Sequence, residues 1–560
     1  MPTTDIQSTL LRGNPVFADQ SLEAIKRERG LEAAWRACLA GRPAAEALRG
    51  VSGAFAVAIE LDDGRTVLAV DRFAIHTLCY RMDAGRMRFA ERADALGSAA
   101  GGLDPQAIFD YLFFHAIPSP RTIFDGVRRL PAAHVASCIK GQLDLQPYWR
   151  PSFNPGPPTS FADLRERFLA ATQQAVADQL DGSKPACFLS GGTDSSTVAG
   201  MIGRVTGQPA STFSIGFEAE GYDEMAFARL TARHFGTDHH EYYVTPDDLV
   251  RHIPTVAAHH DQPFGNSSAL PAYCCGLVAR DAGVTRVLAG DGGDELFGGN
   301  TRYAKQRIFG WYGLLPNGLR RAVMEPFFGL PAVAELPLLK KGSSYIEQAR
   351  VPMPDRLQMY NLLRRLGMPE VLSPALLSRV DIDDPQRQQR AVYQSTQAST
   401  EIDRMLAFDW RYTLAESDLP KVRGSAEMAG IEVGFPLLSP ALLDLALELP
   451  ANYKLRGLKL RWFFKEALRG FLPDATLTKK KQGFGLPFGP WAVRHDGLRR
   501  LAVDSLRSLG QRGLVQPGFV RDLIDTHLPA HPGYYGEMVW ILMMLEQWLQ
   551  AHAPEFELRG

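Results

Sequence analysis

Residues 189–196 read Leu-Ser-Gly-Gly-Thr-Asp-Ser-Ser, directly after the apolar run Ala186-Cys187-Phe188 and before Thr197-Val198-Ala199-Gly200-Met201-Ile202, a helix-like pattern. This junction constrains the fold more than any composition does. An apolar strand that passes through two glycines into a helix puts unpaired N–H groups and the positive end of the helix dipole at the strand's carboxyl end. The glycines let a ligand come close to that backbone. Hydroxyls of Ser190, Ser195 and Ser196 can add hydrogen bonds to phosphate oxygens. Asp194 would be out of place against phosphate alone; it makes sense when magnesium lies between carboxylate and phosphates. The bland alternative is a Ser/Gly turn capping an ordinary helix. The full string favours a pyrophosphate site of Leu189, Ser190, Gly191, Gly192, Asp194, Ser195 and Ser196. No Gly-Lys-Ser/Thr follows, so simple γ-phosphate transfer is disfavoured.

A second junction has the same form. Residues 287–303 run Val-Leu-Ala-Gly-Asp-Gly-Gly-Asp-Glu-Leu-Phe-Gly-Gly-Asn-Thr-Arg-Tyr, a short strand entering glycines and carboxylates. From Phe161 onward strands alternate with amphipathic helices: helix at 161–179, strands at 186–189 and 212–216, helix at 225–235, strand at 286–289. That alternation predicts an α/β fold with a doubly wound parallel sheet and its ligand at the carboxyl ends of the strands. Both glycine loops then face one crevice. Residues from about 305 to 475 read as largely helical.

Ahead of this, the strand at 51–60, the Asp62-Asp63-Gly64-Arg65 turn, the strand at 66–70 and the pair 77–82 and 87–90 predict stacked hairpins of an antiparallel sheet. Pro151-Ser-Phe-Asn-Pro-Gly-Pro-Pro158 is too proline-rich for helix or central strand. The expected organisation is a front domain over 1–150, a linker over 151–160 and a larger domain over 161–560, in keeping with a 560-residue chain.

A formal net charge of −1 gives no electrostatic argument for nucleic acid or an acidic membrane. No apolar run approaches the roughly 20 residues that span a bilayer, and Met-Pro-Thr-Thr-Asp-Ile is not a signal peptide. The six cysteines (38, 79, 138, 187, 274 and 275) show no metal spacing. They suit reduced thiols in the cytoplasm, with Cys274 and Cys275 as buried side chains on a helix.

The loop at 190–196 resembles the pyrophosphate loop of enzymes that split ATP into AMP and pyrophosphate. Together with Gly290–Gly299 it is similar to the two signatures of the asparagine synthetase family. The likeness extends through Phe213–Phe217, Tyr222-Asp223-Glu224, Gly236–Glu241, Asp261-Gln262-Pro263-Phe264 and Lys481-Gln482-Gly483-Phe484. It implies an ATP-pyrophosphatase (PP-loop) type sheet with added helices, and ATP and Mg2+ as cofactors. By position it makes Asp194 and Asp294 magnesium ligands. Ser214, Ile215 and Gly216 become the strand edge that reads adenine, and Gly290 and Asp291 join the nucleotide site. Lys481 falls where the family keeps its essential lysine, with Lys479 and Lys480 read as solvated or phosphate-steering. Asp291 can assist proton removal or orient a lysine or amine. One of Glu416 and Asp418, with Lys421, is expected to line the substrate pocket. The His239-His240 pair has no third ligand nearby and reads as structural.

The front region resembles the family's glutamine amidotransferase domain, of N-terminal nucleophile hydrolase type, through Gly53–Ala58, Val70–Ile75, Pro118–Phe124 and Leu130–His134. Residue 2 is proline where a working glutaminase carries cysteine, and the glutamine-binding signatures are missing, so a degenerate domain is expected. The family's Glu-x-Arg-x-Pro-Phe-Leu-Asp is here Glu432-Val-Gly434-Phe-Pro436-Leu-Leu-Ser439. Losing that guanidinium removes a fixed fork for carboxylates, so free aspartate need not be the substrate.

The resemblance implies an AMP-forming amide ligase that adenylates a small-molecule or peptide carboxylate. The acceptor is ammonia, a separate amine or the substrate's own amine. Asparagine synthesis with external ammonia and a non-catalytic ATP-binding scaffold are the alternatives. A homodimer or a partner protein is left open.

Overall fold

The computed structural model of the chain describes residues 8–157, 159–313, 315–328, 345–479 and 485–559. Five front strands, β1 (Thr9–Gly13), β2 (Phe55–Glu60), β3 (Thr66–Val70), β4 (His134–Ile139) and β5 (Gln142–Pro147), form one sheet in the order β1-β2-β3-β4-β5. Every pairing in it is antiparallel. Alternating side chains bury both faces: Phe55, Val57 and Ile59 meet Trp35 and Leu39 on one side, while Ala56, Ala58 and Leu68 meet Leu78 and Tyr80 on the other. The continuous strand expected over 51–60 is interrupted. Gly53 adopts φ +82°, and a Cβ there would lie 3.0 Å from the Asn14 carbonyl oxygen, so Val51–Ser52 pairs instead with Val16–Phe17.

The second sheet is parallel throughout. Its strands are β6 (Ala186–Phe188), β7 (Ser211–Phe217), β8 (Asp238–Val244), β9 (Arg286–Leu288) and β10 (Glu432–Gly434), in the order β8-β7-β6-β9-β10. Strand β10 is a short element inside a region read as helical; three residues ending in glycine carry no periodicity to reveal it.

Helices used below are α1 (Pro105–Phe114), α2 (Phe161–Ala177), α3 (Thr193–Thr206), α4 (Met225–Phe235), α5 (Gly293–Phe297), α6 (Leu419–Ala429), α7 (Trp462–Ala467) and α8 (Pro532–His552). Ser160 caps α2 by accepting from the Asp163 N–H, and Gly207 ends α3 at φ +68°. Helix α1 lies in the front region of the sequence, yet Ile108, Phe109 and Leu112 share one apolar core with Phe213, Val256 and Trp540. The two regions are therefore welded by a common core as well as joined by the 151–160 segment. Among the described residues no helix is long and apolar enough to cross a membrane.

Candidate active site

Two strand ends meet to make the crevice. Strand β6 stops at Phe188, and the chain turns through Gly191 and Gly192 into α3. Gly191 must be glycine: its φ is +68°, and a Cβ would sit 2.3 Å from the Phe227 carbonyl carbon of α4. Gly192 caps α3 and, having no side chain, makes no side-chain cap hydrogen bond to the first turn. The loop after β9 then lies directly on this turn. A Cβ at Gly290 would be 2.6 Å from the Ser195 nitrogen, and one at Gly293 would be 2.5 Å from Asp194 Oδ1. Glycine at these positions is what lets the two loops touch.

Asp194 and Asp294 consequently converge. Both meet one guanidinium nitrogen, Arg461 Nη1, at 2.7 Å from Asp194 Oδ2 and 2.7 Å from Asp294 Oδ1. Arg461 precedes α7 in a left-handed conformation with φ 52°. Burial opposes its charge, but the two aspartates outweigh burial and hold it protonated. Lys465, one turn further on, is half-buried; burial and then Arg461 lower its pKa. Two carboxylates from separate loops that share a single cation position suit a divalent ion whose other ligands are phosphate oxygens and water. Consistent with so sparse a donor set, no cluster of three or more His, Cys, Asp or Glu side chains able to hold a metal occurs among the described residues.

Further along the crevice Lys421 joins two acids. Its Nζ lies 3.1 Å from Asp418 Oδ1 and 3.6 Å from Asp291 Oδ1. Burial raises the Asp291 pKa and Asp418 adds to the rise, while Lys421 opposes it. For Lys421 burial favours the neutral form, yet Asp418 and Asp291 prevail and raise its pKa. The ammonium is thus fixed, and Asp291 takes up a proton more readily than an ordinary aspartate.

The structure separates the other expected residues. The Ser195 hydroxyl accepts from the Ser190 N–H at 3.1 Å and closes the loop. The Ser196 hydroxyl turns inward onto Thr231 Oγ1 at 2.9 Å and is fully buried, which corrects the expectation that it faces phosphate; its place on α3 points at α4. Strand β7 continues past Phe213, which pairs with the last β6 residue, Phe188, so Ser214, Ile215 and Gly216 run alongside the loop with β8 on their far side. Glu416 is absent from the Lys421 cluster and bonds to Ser119 and Arg411. Lys481 lies outside the described residues. Lys479 is not solvated: its side chain is 8% exposed, paired with Glu224 at 3.0 Å and seated over the Phe227 ring, because the chain re-enters beside α4. His239 hydrogen-bonds Thr212 Oγ1 and His240 stacks on Phe213. Sequence reasoning missed Arg461 and Lys465, for which no motif gave a signal.

Family comparison matches the Asparagine synthase model over residues 167–550 and the Glutamine amidotransferase domain model over residues 38–149. The chain is 24% identical over 489 residues to glutamine-hydrolyzing asparagine synthetase 1 of Bacillus subtilis (strain 168), covering 86% of this chain and 74% of that one. It is 23% identical over 550 residues to glutamine-hydrolyzing asparagine synthetase 3 of the same organism, covering 91% and 80%. Over 261 residues it is 28% identical to the amidase chry2 of Gibberella zeae, covering 42% and 37%.

Proposed function

Because the chain belongs to the asparagine synthase family, and so to the ATP-dependent carbon–nitrogen ligases, we propose that it activates a substrate carboxylate by AMP transfer and joins it to an amine. The observation that carries this reading is the meeting of Asp194 and Asp294 on one cation position beside the glycine-capped start of α3. Bound Mg2+, held by these two aspartates, would neutralise phosphate charge. The α3 N–H groups, Arg461 and Lys465 bind the pyrophosphate end of ATP, and the strand end at Ser214–Gly216, where β7 runs on beyond β6, receives the base. Lys481 is assigned the neutralisation of charge on the acyl phosphate, by its place in the sequence motif. Asp291 accepts the proton of the attacking amine, held in place by the Lys421 ammonium. Asp418 keeps that ammonium charged.

Glutamine is not the nitrogen source in this proposal. Catalytic glutamine hydrolysis needs an accessible thiolate, but all six cysteines are buried. Burial pushes the Cys38 thiol up to about 11 and the Cys79 thiol up to about 12. The substrate is also proposed to differ from free aspartate. A Cβ at Gly434 would lie 2.4 Å from Gln179 Oε1 and 2.8 Å from Leu288 Cδ2, so the space a side chain would take here is occupied by Gln179 and Leu288.

The test is acid-dependent exchange of labelled pyrophosphate into ATP. Exchange with one member of a carboxylate panel, lost in Asp194→Ala and Asp294→Ala, is expected. No exchange with any acid would favour the scaffold reading, and asparagine formed from aspartate and ammonia would return the substrate to aspartate.

A further inference from the structure

Glu416 and Asp418 stand two residues apart on a π-helical stretch, Trp410–Asp418, and therefore point to opposite sides of it. The wide wind is explicit at its end, where the Leu419 N–H bonds the Leu414 carbonyl five residues back. Such turns bond less well than α-helical ones and persist where their surroundings hold them. Here the surroundings come from both sequence regions. On the crevice side, Trp410 Nε1 donates to the Glu295 carbonyl at 2.9 Å, Arg302 to Thr413 Oγ1 at 2.8 Å and Asn266 to Ser417 Oγ at 3.0 Å.

On the opposite side the grip belongs to the segment after α1. The Ser119 N–H and hydroxyl both donate to Glu416 Oε1, at 3.1 Å and 2.7 Å. Arg411 pairs with the same carboxylate and donates to the Ser119 carbonyl, closing a ring of hydrogen bonds. Phe114 stacks on Tyr412 with ring centroids 5.6 Å apart. Ser119 is 3% exposed, Glu416 8% and the Arg411 side chain 16%, so little water reaches the ring and its bonds to the carboxylate are charge-assisted.

We infer that Ser119 is a positioning residue: with Arg411 it fixes Glu416, and through the π-helical wind it sets Asp418 against Lys421 and Lys421 against Asp291. The catalytic meaning of this link rests on the ligase reading, whereas the link itself does not. It gives the front region work to do at the amine end of the crevice that needs no chemistry of its own.

The test uses the full chain without ATP or acid. Lysines are acetylated with trace acetic anhydride across a pH series and each rate is read by mass spectrometry. Loosening Asp418 lowers the Lys421 pKa, and one unit raises its rate at fixed pH about tenfold. That rise is expected in Ser119→Ala and in Glu416→Gln, with return to the parent rate in Ser119→Thr, which keeps the hydroxyl. Amide hydrogen exchange should quicken over 410–422 and stay unchanged over 193–206. An unchanged Lys421 rate overturns the inference; so does faster exchange spread evenly over both sheets, which marks general loosening. Neither result touches the ligase reading, which pyrophosphate exchange tests separately.

Discussion

Replacing Arg461 by methionine probes the centre of the site. Methionine bears the same left-handed backbone at φ 52° and keeps most of the apolar stem, so the change isolates the charge. Arg461 is 7% exposed, and the Asp194 and Asp294 side chains are 19% and 16% exposed. Two carboxylate oxygens each 2.7 Å from one nitrogen lie at most twice that distance apart. At an effective dielectric of about 20 they repel by about 3 kcal/mol once that nitrogen is gone. Removing one partner of a buried ion pair costs a similar ~3–5 kcal/mol. In EDTA, Arg461→Met should therefore unfold at markedly lower urea than the parent, followed by tryptophan fluorescence. Magnesium should then restore the variant, since an ion at about 100 times its Kd adds about 2.7 kcal/mol. The parent should gain less, because its ion must first displace the guanidinium. Equal stability of variant and parent in EDTA, or an equal magnesium response, would refute the claim that these aspartates form one cation site.

Three further outcomes follow from the same geometry. Gly290→Ala drives a methyl group to within 2.6 Å of the Ser195 backbone nitrogen, where no flexible side chain can yield; it should abolish ATP binding by calorimetry, and retained affinity would mean the loops do not need to touch. Amide formation should rise with pH as Asp291 loses its proton, through a midpoint above the ordinary aspartate range. Lys421→Met should move that limb to higher pH and Asp418→Asn to lower pH, because the ammonium lowers the Asp291 pKa and the second carboxylate raises it; shifts of the same sign would refute the assignment. The six thiols should resist iodoacetamide until the chain is unfolded, and glutamine should yield no glutamate, with either reaction in the native chain contradicting the burial of its cysteines.

The glycine junctions were readable because their information is local. A strand, two glycines and a helix fix where unpaired N–H groups appear, and Asp194 and Asp294 follow from their places in those turns. The antiparallel front sheet was likewise legible from hairpin turns, except where Gly53 breaks a strand. Glu416 and Asp418 could not be told apart, since alternation along a helix says that they diverge but not which neighbour each meets. Arg461 was invisible for a related reason. Its partner Asp194 is 267 residues away, and nothing near Arg461 marks it as more than a basic residue before a short helix.

What the sequence determined by itself was thus the backbone chemistry of each strand end: glycine where chains touch, a carboxylate in each turn, alternating strands and helices that send both loops to one side. Tertiary packing alone decided the charge partners. It set Arg461 between two aspartates, turned Ser196 inward, filled the space at Gly434 with Gln179 and moved Glu416 from the pocket to the junction with the front region. Backbone shape is dictated by neighbours within a few residues, whereas a buried charge is dictated by whatever the folded core brings to it.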